Sequence, residues 1–216
     1  MEAYTTNNDP KVVADYYIQN VTQSGGCPER IRADHGTENG HVANMQVFLR
    51  RNHDDSFAGD NSFVYGRSTG NQRIESLWGV LRKQSVQFWM NIFKTLQDDG
   101  QFSGDFLDKN LVQFCFLGLV QELDEVVQTW NTHKIRLRPG QDVHSGHPVL
   151  MYTVPSLYGA EDKLKLVEPE EVAVCKEECT PKSQIPCDET VYDLSVLLMQ
   201  ENQWGHPSDE LHHLEQ

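Results

Sequence analysis

Glu29-Arg30-Ile31-Arg32-Ala33-Asp34-His35-Gly36-Thr37-Glu38-Asn39 holds a short alternating segment that runs into an aspartate and then a glycine turn. Bounded by Pro28 on one side and His35-Gly36 on the other, residues 29–33 suit a strand that delivers Asp34 at its C-terminal end. Open α/β sheets place their sites at that end. Asn39 then opens a helix to about Arg51, with Val42, Met45 and Leu49 on one face. Upstream, Asn8-Asp9-Pro10 sets an N-cap and an N1 proline before Val12, Val13, Tyr16, Tyr17 and Val21. A helix from about Pro10 to Ser24 follows, ended by Gly25-Gly26.

Downstream, residues 52–66 are polar, carry glycines and lack helical period, which predicts a mobile loop. Ser68-Thr69 can cap a long helix through Ile74, Leu77, Trp78, Leu81, Val86, Trp89, Phe93 and Leu96, bent near its β-branched and glycine positions and stopped at Gly100. It carries Asn71-Gln72-Arg73-Ile74-Glu75. A second long helix runs from about Asp105 to Asn131, and the apolar faces of the two should pack together. Residues 132–159 read as a closing arm punctuated by Pro139, Pro148 and Pro155. The organisation expected is a domain over 1–159 and an acidic, largely flexible tail over 160–216, whose periodic segment is Thr190 to Gln200.

The chain of 216 residues is 38% hydrophobic and 23% charged, which fits a soluble globular protein with one core. Its longest apolar run is too short to cross a bilayer, so no membrane partner is expected. The first residues lack the features of a signal peptide, which predicts an intracellular protein with the nucleus left open. The formal charge of −14 is unevenly spread: residues 1–159 hold 14 Lys+Arg against 18 Asp+Glu, and 160–216 hold 4 against 14. A near-neutral body leaves room for a local basic groove, although composition alone supplies none. Five cysteines, an odd number, argue against a disulfide framework. Cys175, Cys179 and Cys187 with His206, His212 and His213 offer zinc donors, but without paired C-x2-C spacing; reduced thiols are the expected state.

Three landmarks in order resemble the catalytic core of retroviral and retrotransposon integrases, and more closely the vertebrate integrase-core-domain proteins. They are Arg32 to Asn39, Asn71 to Glu75, and Trp130-Asn131-Thr132-His133 followed by Arg136 to Gly140 and His147-Pro148. The resemblance covers roughly Tyr4 to Leu157. It implies an RNase H-like α/β fold, a mixed five-stranded sheet with helices on both faces, and cutting and joining of DNA ends with Mg²⁺ or Mn²⁺. Asp34 and Glu75 carry over as catalytic and metal-binding carboxylates. The family's first aspartate lies on a first strand that has no counterpart here, so the core is expected to be incomplete and truncated at its N-terminus. About forty residues separate Asp34 from Glu75, somewhat more than in the family, with the excess in a loop that tolerates length cheaply.

Two-metal phosphoryl transfer needs carboxylates that clamp both ions, so loss of the first aspartate predicts little or no strand-transfer activity. Glu38 is open to a metal or water role, but capping or solvation is favoured. Arg67, Arg73, Arg82, Lys83, Lys134, Arg136 and Arg138 are candidate phosphate contacts for DNA, with ordinary surface charge as the alternative. Trp78, Trp89 and His133 are expected to pack or to give polar support. The loss of a central strand also predicts exposed neighbours, and leaves open a lost upstream exon, marginal folding, pairing with another copy or survival as a binding module. Two other functions stay open: a protein-interaction module recruiting a partner through the acidic tail, and a fragment of an active recombinase whose first aspartate is encoded upstream.

Overall fold

Asp9 starts the first helix, α1 (Pro10–Ser24), by accepting the Lys11 N–H on its carboxylate at 2.9 Å. Pro10 is tolerated there because its missing N–H has no helical partner to lose. Gly25, at φ 66°, closes the helix by returning its N–H to the Val21 and Thr22 carbonyls. The chain continues through β1 (Gly26–Pro28), β2 (Ile31–Ala33), a 3₁₀ turn at Thr37–Asn39, α2 (Gly40–Arg50), a second 3₁₀ turn at Gly59–Ser62 and β3 (Phe63–Tyr65). Then come α3 (Gln72–Leu81), a π-helical turn (Arg82–Val86), α4 (Gln87–Asp98), α5 (Phe106–Thr132), α6 (Pro148–Thr153), a 3₁₀ turn at Pro155–Tyr158, β4 (Leu164–Leu166), α7 (Pro169–Glu177) and α8 (Glu189–Glu201). This computed structural model describes residues 8–66, 72–136, 145–183 and 185–205.

The chain divides into two bodies. One comprises Thr6–Arg73 with Glu161–Lys182, and the other contains Ile74–Ala160 and the chain from Ser183 onward. In the first body α1, α2 and α7 enclose a core that includes Ile18, Cys27, Met45, Leu49, Phe63 and Val172. A polar seam crosses it: the Tyr17 hydroxyl donates to Gln46 Oε1 at 2.5 Å, and Gln46 Nε2 donates to the Pro28 carbonyl at 2.7 Å. Gln46 is fully buried, so both ends of its amide need partners, and both have them. Arg50, also fully buried, reaches both carboxylate oxygens of Asp55 at 2.6 and 2.7 Å.

Among the described residues two small sheets occupy this body, where the resemblance implies one mixed sheet of five strands. β1 pairs antiparallel with β4, setting Cys27 opposite Lys165, and β2 pairs parallel with β3, setting Arg32 opposite Val64. Each strand has three residues, and Pro28 has no N–H with which to extend β1. The parallel pair meets the requirement for a long crossover, because α2 lies between its strands. The segment 52–66, expected to be a mobile loop, carries β3; Phe63-Val64-Tyr65 is strand-forming but too short to register as a period.

Residues after Gly159, expected to be largely flexible, also carry structure. β4 completes the antiparallel pair, Val172 and Cys175 of α7 are buried, and Glu171 pairs with Arg51 at 2.7 Å. A net acidic composition therefore coexists with two apolar residues placed a helical turn apart, which is enough to dock one short helix.

In the second body the long helix is interrupted between α3 and α4 by the π turn Arg82–Val86. Gly100, at φ 70°, follows its end. Leu81, Val86, Leu123 and Val126 form a cluster that packs the first long helix on the second. α8 lies against α5, with Tyr192 edge-on to Phe114 at 5.5 Å and the Asp188 N–H donating to Asn110 Oδ1 at 2.7 Å. The closing arm folds back on α5: Ile135 and Gly146 exchange backbone hydrogen bonds, and His147 Nδ1 meets the Thr132 carbonyl at 2.6 Å.

Candidate nucleic-acid interface

β2 alternates its side chains. Ile31 and Ala33 pack against the core, so Arg30, Arg32 and Asp34 fall to the other side and are exposed. The Gly66 N–H donates to the Ala33 carbonyl at 2.8 Å, which carries the parallel ladder one step past β3 and brings Gly66 beside the aspartate. A groove is lined here by Arg30, Ile31, Arg32, Val64, Tyr65 and Gly66. The Arg32 guanidinium lies across Gly66, where an added Cβ would stand 2.5 Å from Nε. Arg30 sits over the Phe57 ring at 5.0 Å, a cation–π contact. Among the described residues neither arginine has a carboxylate within ion-pair distance.

Asp34 ends the strand as the sequence predicts. Its Oδ1 accepts the Gly36 N–H at 3.2 Å and the Asn39 side-chain amide at 3.0 Å, so one carboxylate oxygen holds the turn. Glu38 folds its carboxylate over Gly36, which gives it a place in the same turn. His35 stacks on Tyr65 with ring centres 5.2 Å apart and planes inclined by 12°, and Phe63 meets Tyr65 edge-on at 5.0 Å. Tyr65 remains 42% exposed.

Glu75 lies in the first turn of α3 and is exposed, in the body that does not contain Asp34. Arg82 and Lys83 are exposed in the π turn, and Arg82 Nε approaches Gln87 Oε1 at 3.5 Å. Lys134 and Arg136 are exposed on either side of Ile135. Arg67 and Arg138 lie outside the described residues, as does the side chain of Arg73, whose backbone belongs to α3. Trp89 stacks on Phe93, and His133 packs on Trp130, in the packing roles expected of them; Trp78 departs from that expectation and is 54% exposed.

The Mg²⁺ or Mn²⁺ that the resemblance implies calls for several convergent oxygen donors. Among the described residues no three His, Cys, Asp or Glu side chains are arranged to hold a metal ion. Asp34 has one oxygen committed to its own turn, so the described donor set does not fit a two-metal centre, and no chemical step is derived through one. The same holds for zinc at the C-terminal cysteines: Cys175 and Cys179 lie on or just after α7, where Cys179 Sγ donates to the Cys175 carbonyl at 3.4 Å, and His206, His212 and His213 lie outside the described residues. Burial pushes the Cys27 and Cys175 thiols up to about 11, against metal-binding thiolates at neutral pH.

Arg30 and Arg32 were not among the sequence-predicted contacts. The signal was present as cations at i and i+2 in a strand beside the key aspartate, but seeing that both point away from the core requires knowing which face packs.

Among the described residues no helix is long and apolar enough to cross a membrane. No curated protein and no solved structure gives a significant match. The family model for the integrase core domain matches residues 1–157, a span that contains Asp34, Glu75 and the Trp130 to Pro148 landmark. With most of its length matched, the chain belongs to the integrase core domain family.

Proposed function

We propose that this chain binds nucleic acid on an integrase-derived core, through phosphate contacts from Arg30 and Arg32 at the end of the β2–β3 pair, and has little or no DNA strand-transfer activity. The observation that carries the reading is the pair of exposed arginines that line one groove without acidic partners among the described residues, in a protein whose overall charge is −14. Unpaired cations in such a chain mark a local reversal of its field, and phosphate contacts supply most non-specific affinity. Arg82, Lys83, Lys134 and Arg136 are secondary phosphate contacts in this account. Asp34 and Glu75 correspond to the family's carboxylates, and no catalytic step is assigned to them.

The test is an anisotropy titration of labelled DNA with the full chain and with Arg30→Gln/Arg32→Gln. Removing one charge-assisted hydrogen bond to phosphate should cost on the order of 1.5 kcal/mol, so the double variant should bind at least about tenfold more weakly. Unchanged affinity in the folded variant would remove the proposal. Mn²⁺-dependent nicking and joining of DNA ends, with Glu75→Gln as control, tests the catalytic half: joining abolished by Glu75→Gln would show that strand transfer is retained.

One further observation favours a second reading, a protein-interaction module. Leu194, Leu197 and Leu198 of α8 are 48%, 50% and 43% exposed while Val191 and Ser195 face inward, leaving an apolar strip. A partner retained by the full chain but released by Leu197→Glu, in a protein that binds no DNA, would favour this reading over the first.

A further inference from the structure

Arg32 and Tyr65 both line the groove, yet they follow opposite parities of their strands. Arg32 pairs with Val64 on the open face, and Tyr65 pairs with Ala33 on the face that packs on the core. At the end of the sheet the core runs out, and there Tyr65 emerges with His35 stacked on it and Phe63 bracing it from behind. A ligand that uses both groups lies in this groove at the end of the strands, beside Asp34 and Gly66.

A duplex keeps its bases paired and stacked inside, where an exposed ring cannot reach their faces without unstacking them. An unpaired strand bends freely and offers every base as a flat π face, which an exposed aromatic ring accepts without regard to sequence. Arginine beside such a ring is the usual composition of surfaces that hold single strands. Phe63 and His35 limit the motion of the Tyr65 ring, so less side-chain freedom is lost on binding.

We infer that the end of the β2–β3 pair selects an unpaired nucleic-acid strand over a duplex, with a phosphate on Arg32 and a base against Tyr65 and His35. The inference rests on the nucleic-acid reading proposed above and narrows its ligand. DNA and RNA share the chemistry required.

The full chain is titrated against labelled oligothymidylate, oligouridylate and a duplex of equal length, at one low salt concentration. Wild type, Tyr65→Leu, Tyr65→Phe and Arg32→Gln are compared, each checked by thermal melting. The expected result is single-strand binding about tenfold tighter than duplex binding, a ratio that collapses toward unity in Tyr65→Leu and returns in Tyr65→Phe. Arg32→Gln should weaken single-strand binding severalfold, as the removal of one phosphate partner requires. Equal binding of strand and duplex by wild type overturns the inference while leaving the arginine reading intact, as does a preference that survives Tyr65→Leu. Binding of neither removes both.

Discussion

The Arg32 guanidinium occupies the space that a side chain at position 66 would fill: a Cβ on Gly66 would come within 2.5 Å of Nε and 2.8 Å of Nη2. Glycine at the end of β3 thus lets the arginine lie flat across the ladder beside Asp34. The obstacle is the far end of a flexible side chain, so Gly66→Ala should displace the guanidinium at little cost to the fold. Its melting temperature should stay within a few degrees of wild type while DNA affinity falls severalfold, on the order of one charge-assisted hydrogen bond. Unaltered affinity would show that the position of Arg32 does not matter.

Residues beyond the family-matched span help to build the first body, because Val172 and Cys175 of α7 belong to its core. Val172 is 7% exposed, whereas Leu166 on β4 is 78% exposed. Val172→Asp buries a carboxylate among apolar neighbours and should cost more than about 3 kcal/mol in urea unfolding; Leu166→Lys should stay within about 0.5 kcal/mol. Equal, small effects would mean that α7 is not docked on α1.

The Arg50–Asp55 pair sets an acid limit. Hydrogen bonding by the Arg50 guanidinium holds the Asp55 carboxyl below the usual carboxylate range, with the Phe57 N–H and Lys165 adding to the effect. A carboxylate depressed in the folded state contributes stability that is present above its unfolded value of about 4 and lost as pH falls below it. Thermal melts should therefore be flat near neutrality and decline below about pH 4. Asp55→Asn should be destabilised near neutrality, because Arg50 would be left as a buried unpaired charge, and should show a shallower acid decline.

Thiol labelling distinguishes the two bodies. Cys27 and Cys175 are buried with thiols pushed up to about 11, whereas Cys115 on α5 is exposed, though burial raises its thiol as well. Iodoacetamide at pH 8 should modify Cys115 in the native protein and reach Cys27 and Cys175 only after unfolding. Labelling of Cys27 in the native state would contradict the core described here.

The helices were legible in the sequence because their signals are local. Asp9-Pro10 and Gly25 bracket α1, Asp105 caps α5 by accepting the Asp108 N–H, and Asp188 caps α8. β3 and β4 were not legible: three residues make no period, and each exists because a distant strand pairs with it. The site divides in the same way. Asp34 is legible as the residue that ends β2 before a glycine turn, whereas the bonds from Gly36 and Asn39 to its carboxylate are visible only in the structure. Arg30 and Arg32 are not, because their exposure depends on Ile31 and Ala33 packing inward. Of the predicted basic residues that are described, Arg82 and Lys83 sit in the π turn and Lys134 and Arg136 on the closing arm, where charge is ordinary and the sequence does not say which cations share a surface.

The most direct measurement is the salt dependence of DNA binding by wild type and by Arg30→Gln/Arg32→Gln. Each phosphate neutralised contributes about 0.7 to 0.9 to the slope of log affinity against log salt, so the double variant should fall short of the wild-type slope by about 1.5. A slope that is the same in both proteins, or a wild type that does not bind at low salt, would contradict phosphate binding at the end of the β2–β3 pair.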